Sequence, residues 1–164
     1  MTAPHTEGTL PGGQHWQAWT PPDPVGVVVL VHGLHEHGGR YAGVAERLTR
    51  AGYAVRVVDH PGHGRSPGTR GNIGSMAVTV GGVAALVREA VDAHAGLPVF
   101  VYGHSMGGLI ALRLQAAQAA GVAVLSAETG VESPGTHNES LANLRRAGFT
   151  DLYERANWTW RRRG

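Results

Sequence analysis

The chain has 164 residues, 14 basic side chains against 12 acidic ones, and a formal charge of +2. Every basic residue is Arg and cysteine is absent, which excludes disulfides, thiol catalysis and Cys-ligated zinc together. With 42% hydrophobic and 16% charged residues the composition is that of a globular chain, and the small net charge gives no ground for a nucleic-acid partner.

The opening residues, 1–13, are polar and punctuated by Gly and Pro, and read as a flexible arm. They contain no apolar h-region, so no signal peptide is expected. The longest apolar run, Val27–Val31, is far below the roughly 18 residues of a membrane span. A cytoplasmic location is the default expectation. Gln14–Thr20 reads as a short strand closed by Pro21-Pro22, with Trp16 and Trp19 as packing residues. Val25–His32 is β-branched without alternation, as expected of a strand covered on both faces. A loop over Gly33–Arg40, a helix over Tyr41–Ala51 ended by Gly52, and a second buried strand over Tyr53–Asp59 follow. Arg56 and Arg65 are expected at the surface. After a loop to Gly74, a helix runs from about Ser75 to His94, with Gly81-Gly82 marking a point where it can bend. Val99–Tyr102 and Val122–Ser126 complete the strands, and Asn138–Ala147 reads as a short helix capped by Asn138 and stopped by Gly148. Alternating strands and helices predict a mostly parallel sheet with helices on both faces and all strand-to-helix loops at one edge.

The stretch Val99–Ala120 organises this pattern. Four β-formers run into Gly103-His104-Ser105-Met106-Gly107 and then into an apolar helix, which is the strand–turn–helix context that G-x-S-x-G requires. Side chains at 103 and 107 would collide with the incoming strand or the outgoing helix, and Ser105 would stand at the tip of a strained turn. A phosphate-cradling Gly loop is the alternative, but the G-K-[ST] ending is missing and the chain has no Lys. An oxyanion forming at Ser105 needs two N–H donors, expected from the backbones of Met106 and, across the sheet edge, Leu34. His32, His35, His37, His60, His63 and His104 invite a metal reading, yet H-x-x-H-x-H is not H-E-x-x-H, and no metal is expected. Glu36 and Arg40 can form a local ion pair, and Asp59 can cap the turn that follows it.

HGLHEHGGRY (32–41), DHPGHGRSPG (59–68) and GHSMGG (103–108) together resemble the monoacylglycerol lipase-like branch of the α/β-hydrolases. The resemblance covers Val25 to about Ala127. It implies an α/β-hydrolase fold, Ser105 as nucleophile, Leu34 and Met106 as oxyanion-hole backbones, and Arg40, His104 and His32 on the substrate side. It implies hydrolysis of a carboxylic lipid ester with no metal or organic cofactor, and a lipid substrate gives a reason to meet a membrane surface. The family carries its acid and base on later loops, in the order Ser, acid, His. Only 59 residues follow Ser105, so the chain reads as a core over 14–127, truncated after the family's sixth strand, with an atypical tail over 128–164 that is either the start of a cap or non-family sequence. Glu128 and His137 are the substitute acid and base that the tail offers. The competing expectation is a catalytically silent fragment that binds acyl groups or self-associates through an uncovered sheet edge.

Overall fold

The computed structural model describes residues 5–116 and 122–128 together with positions 142, 145 and 146. Six strands, β1 (His5–Thr9), β2 (His15–Trp19), β3 (Gly26–Val31), β4 (Tyr53–Val58), β5 (Val99–His104) and β6 (Val122–Glu128), form one mixed sheet in the order β1-β2-β4-β3-β5-β6. The first two pairings, β1 with β2 and β2 with β4, are antiparallel; β4, β3, β5 and β6 run parallel. Three helices connect them: α1 (Ala42–Arg50), entered through a 3-10 turn at Gly38–Tyr41, α2 (Met76–Ala93) and α3 (Met106–Ala116). The chain divides into two units between Thr129 and Gly130. In the second, the described positions Ala142, Arg145 and Arg146 are helical and fall within the expected helix, whereas its cap Asn138 and stop Gly148 lie outside the described residues.

Strand pleating sorts the apolar residues into two layers. Val27, Val29 and Val31 of β3, with Ala54 and Val58 of β4 and Val99 and Val101 of β5, pack under Val83, Leu86, Val87, Ala90, Ile110 and Leu114 of α2 and α3. The alternate residues Val28, Leu30, Val55 and Val57 pack with Trp19, Tyr41 and Ala45 on the α1 face. Every residue of β3 is buried, which explains why Val25–His32 lacks polar alternation.

The crossovers fix where a site can form. From β3 the chain steps through α1 to β4 on one side; from β4 it passes through α2 back across β3 to β5. The direction of winding reverses at β3, so the loops leaving β3 and β5 diverge and open a crevice at their carboxyl ends.

Two elements differ from the sequence expectation, and the helix after them follows it. Thr6, Glu7 and their neighbours in the expected arm pair residue for residue with β2, from His5 opposite Trp19 to Thr9 opposite His15. Arg56 is not at the surface. It stands in the same pleat row as Ala54 and Val58, is 8% exposed, donates to Glu89 Oε1 of α2 at 2.9 Å and lies 5.9 Å from the Trp16 ring. The α2 residues run as a single uninterrupted helix, whose N-cap Ser75 Oγ accepts the Ala77 N–H at 3.2 Å. Within it Gly82 is a packing residue: a Cβ there would strike the buried Gln14 side chain.

Candidate active site

Ser105 closes β5 and opens α3, its side chain exposed and its φ at +53°, a left-handed conformation that costs a non-Gly residue of order 1 kcal/mol or more. The turn is held by the Gly108 N–H, which donates to the Ser105 carbonyl at 2.8 Å. The flanking glycines are sterically required. A Cβ on Gly103 would strike the Gly107 carbonyl, and one on Gly107 would strike the Val31 carbonyl of the neighbouring strand, with Val31 C at 2.7 Å and His32 O at 3.0 Å. The second clash is with β3 rather than with the incoming strand itself, so Gly107 is what lets α3 start against the end of β3.

That contact brings the loop after β3 to the side of the turn. Gly33 is so close to β5 that a Cβ on it would lie 3.3 Å from the His104 carbonyl. Leu34, the next residue, is 46% exposed, and Leu109, one helical turn beyond Ser105, is 44% exposed. Met106 is partly buried against the core. Arg40 reaches Glu36 Oε1 at 4.0 Å with its side chain largely in solvent, and His104 Nε2 lies 4.0 Å from Glu36 Oε2.

Two carboxylates organise the loops. Glu36 Oε2 accepts the Gly33 N–H at 2.9 Å and the Tyr41 hydroxyl at 2.8 Å. Burial raises its pKa, but the Gly33 amide, the Tyr41 hydroxyl and the nearby His104 and Arg40 outweigh that and hold it below the ordinary value. Asp59, 2% exposed, accepts the Gly38 N–H on Oδ1 at 2.6 Å and the Arg65 N–H on Oδ2 at 2.8 Å, tying the loop after β3 to the loop after β4. Ser66 Oγ donates to the Asp59 carbonyl at 2.6 Å and accepts the His15 N–H at 2.8 Å. Asp59 thus caps turns, and Gly64 is required beside it because a Cβ there would meet its carboxylate.

Among the residues expected on the substrate side, His32 is displaced from that role. Its ring is fully buried, with Nδ1 at 2.8 Å from the Gly33 carbonyl and Nε2 accepting the His60 N–H at 3.0 Å, so neither nitrogen faces a ligand. The strand end delivers it inward, where the His60 ring packs against it, tilted by 37°, at a centroid distance of 3.9 Å. His60 was singled out only in the metal reading and not for this contact; its signal was its place directly after a buried strand, where a polar ring must find internal partners. The Glu128 main chain is the register partner of His104, one residue from Ser105. His137 lies outside the described residues. Among the described residues no cluster of three or more His, Cys, Asp or Glu can hold a metal ion, and no helix is long and apolar enough to cross a membrane.

The sequence matches the family described as Serine aminopeptidase, S33 (Hydrolase_4) over residues 22–153. The chain belongs to that family. Within the Hydrolase_4 family its similarity is to the monoacylglycerol lipase-like α/β-hydrolases: it is 49% identical over 94 residues to a monoacylglycerol lipase of Mycolicibacterium smegmatis, covering 57% of this chain and 34% of that protein. It is 40% identical over 95 residues to human monoglyceride lipase, covering 57% and 31%. Among solved structures, a Bacillus coagulans carboxyl esterase in complex with glycerol superposes with a TM-score of 0.64 at 31% identity, over 77% of this chain and 44% of that one. A monoacylglycerol lipase of Paleococcus ferrophilus gives 0.57 at 32% identity, over 90% and 51%. The chain therefore spans about a third of the length of these curated relatives, and its mixed sheet matches part of an α/β-hydrolase sheet.

Proposed function

We propose that this chain carries the nucleophile half of a serine hydrolase that cleaves carboxylic esters of the monoacylglycerol type through an acyl-enzyme on Ser105. The observation that carries the reading is the exposed, positive-φ Ser105 on a turn beside the Gly33–Leu34 peptide, at the carboxyl ends of β3 and β5. Support for the substrate class comes from the names of the relatives and from Leu34 and Leu109, exposed apolar side chains near Ser105 in sequence and fold that suit an acyl chain.

In this mechanism Ser105 Oγ attacks the ester carbonyl carbon while its proton passes to a base. The carbonyl oxygen becomes an oxyanion that the Leu34 and Met106 N–H groups receive. Collapse expels the alcohol, which takes the proton, and water then repeats the sequence to release the fatty acid and regenerate Ser105. His137 is the candidate base and Glu128 its acid partner; the strand register that sets Glu128 beside His104 supports placing the acid at this edge. Arg40 and His104 are candidates for the polar headgroup. A second reading, a silent module that binds acyl groups or a second copy, draws on β6, which among the described residues pairs with β5 alone.

A fluorophosphonate probe separates the two. Stoichiometric labelling that disappears in Ser105→Ala supports the hydrolase, whereas a folded chain that does not label supports the silent module. Given labelling, unchanged rates in both Glu128→Ala and His137→Ala remove these two residues from the mechanism.

A further inference from the structure

The Leu34 amide is useful to an oxyanion only if its peptide plane is held in one orientation, and the structure contains a device that holds it. The plane between Gly33 and Leu34 is trans, so its C=O and N–H point in opposite directions. The Gly33 carbonyl is gripped from one side by two donors, His32 Nδ1 at 2.8 Å and the Glu36 N–H at 3.3 Å. The Leu34 N–H is thereby turned away from both. On its other flank Gly33 donates its own N–H to Glu36 Oε2 at 2.9 Å and abuts the His104 carbonyl.

For His32 to act as that donor, the ring proton must sit on Nδ1, and its other nitrogen decides this. Nε2 lies 3.0 Å from the His60 main-chain N–H, which is always a donor, so Nε2 is an acceptor and carries no proton. The two histidines are reciprocally bonded: His60 Nε2 lies 3.0 Å from the His32 carbonyl, which only accepts, so that nitrogen bears the His60 proton. Both rings are fully buried and packed against each other with their planes tilted by 37°, which favours one neutral proton arrangement over the alternatives. Burial pushes both imidazoles down, His60 to about 3 with the His32 ring as a further cause.

We infer that His32 is a positioning residue that aims the Leu34 amide, through an Nδ1–H tautomer fixed by the His60 main chain. The inference rests on the role proposed for Leu34, but its geometry can be checked apart from turnover. In the full chain labelled with 15N and 13C, the His32 imidazole, assigned through bonds from its own main-chain resonances, is expected to show a proton-bearing Nδ1 and a pyridine-type Nε2 at pH 7. The reverse pattern overturns the inference, and this measurement needs no variant to fold. Asn presents its amide where His carries Nδ1, and Gln presents its amide where His carries Nε2. The Leu34 amide resonance is therefore expected to move in His32→Gln and to return towards the native position in His32→Asn; a folded Gln variant with an unmoved Leu34 resonance overturns it.

Activity supplies the readout that mere space-filling would not move. The limiting rate of Ser105 phosphonylation is expected to fall about tenfold or more in His32→Gln with the half-saturating probe concentration little changed, against the ~10²–10³ that outright removal of an oxyanion donor costs. His32→Asn is expected to recover most of that loss, and an Asn variant as slow as Gln refutes the Nδ1 assignment. A native chain that fails to label at all defeats the hydrolase reading instead, and the tautomer and the Leu34 resonance then decide the positioning role.

Discussion

Replacing Asp59 by Asn tests how the two catalytic-edge loops are held together. The native carboxylate accepts the Gly38 N–H at 2.6 Å and the Arg65 N–H at 2.8 Å, and its Oδ2 lies 3.4 Å from His15 Nδ1. An Asn side chain has one oxygen for these two donors. Its NH2 would clash with the buried Gly38 amide in one orientation, so it is expected to turn towards Arg65, where His15 Nδ1 can accept from it. The cost is then one charge-assisted hydrogen bond, that of the part-buried Arg65 amide, about 1.5–3 kcal/mol. A loss of about 1.5–3 kcal/mol follows for Asp59→Asn. Asp59→Ala also strands the Gly38 N–H in the interior and should cost about 3–5 kcal/mol. Urea unfolding at pH 7.5, followed by fluorescence of Trp16 and Trp19 with Trp158 and Trp160 replaced by Phe, measures both. An Asn variant within about 0.5 kcal/mol of native, the range of an ordinary surface change, or an Ala variant no worse than Asn, would refute the tie.

Acidification should destabilise the amino-terminal unit in a defined window. The folded His60 ring titrates at about 3 and burial holds His32 below its ordinary 6.5, so below pH 6.5 the unfolded chain takes up protons the native one refuses; the unfolding free energy from urea titrations should be level above pH 7 and fall towards pH 4, by up to about 1.4 kcal/mol per pH unit from His60 with His32 adding to the fall, and a level value would contradict the buried pair. Gly107→Ala drives a methyl into the Val31 carbonyl and should cost about 1–3 kcal/mol and abolish Ser105 labelling; a stable, fully labelling variant would contradict the close approach of α3 to β3. Gly82→Ala should be destabilising by a similar amount in the presence of Gln14 and much less so in Gln14→Ala, a coupling readable in a double-mutant cycle by thermal unfolding. Added imidazole should accelerate Ser105 phosphonylation in His137→Ala and leave the native chain unaffected if His137 is the base; equal acceleration of both chains assigns the base elsewhere.

Strands β3 and β4 were legible because each is a short run rich in β-branched residues buried on both faces, and the Ser105 turn was legible because its glycines answer to clashes one can foresee from a strand–turn–helix. His5–Thr9 was missed because HTEGT has no apolar stripe; an exposed edge strand takes its stability from main-chain pairing with β2 and from the Glu7–Arg65 contact at 2.7 Å, neither of which leaves a local mark. Arg56 was misplaced because a charge in a strand reads as solvent-facing until its partner, Glu89 on a helix 33 positions later, is known. The same non-locality hid the meaning of His32. Its motif suggested contact with substrate, while its partners Gly33 and His60 turn it into part of the frame.

These contacts separate the machinery into two parts with different origins. The groups that fix the Gly33–Leu34 peptide, namely His32, Glu36, Tyr41 and His60, and the glycines that fix the Ser105 turn, all lie between residues 32 and 108, and the hydrogen bonds that hold the peptide run between residues of that stretch. None of these bonds involves Glu128 or His137. In serine hydrolases generally, an oxyanion hole and binding alone leave roughly 10³–10⁴-fold catalysis over water when a triad member is removed, with the larger part of the acceleration lost. A preorganised donor pair without a base would accordingly give slow but Ser105-dependent phosphonylation that still responds to His32. Fast phosphonylation would require the proton of Ser105 to be taken up within the chain. The rate of labelling, and not only its presence, therefore distinguishes a frame that merely holds a serine from a completed hydrolase.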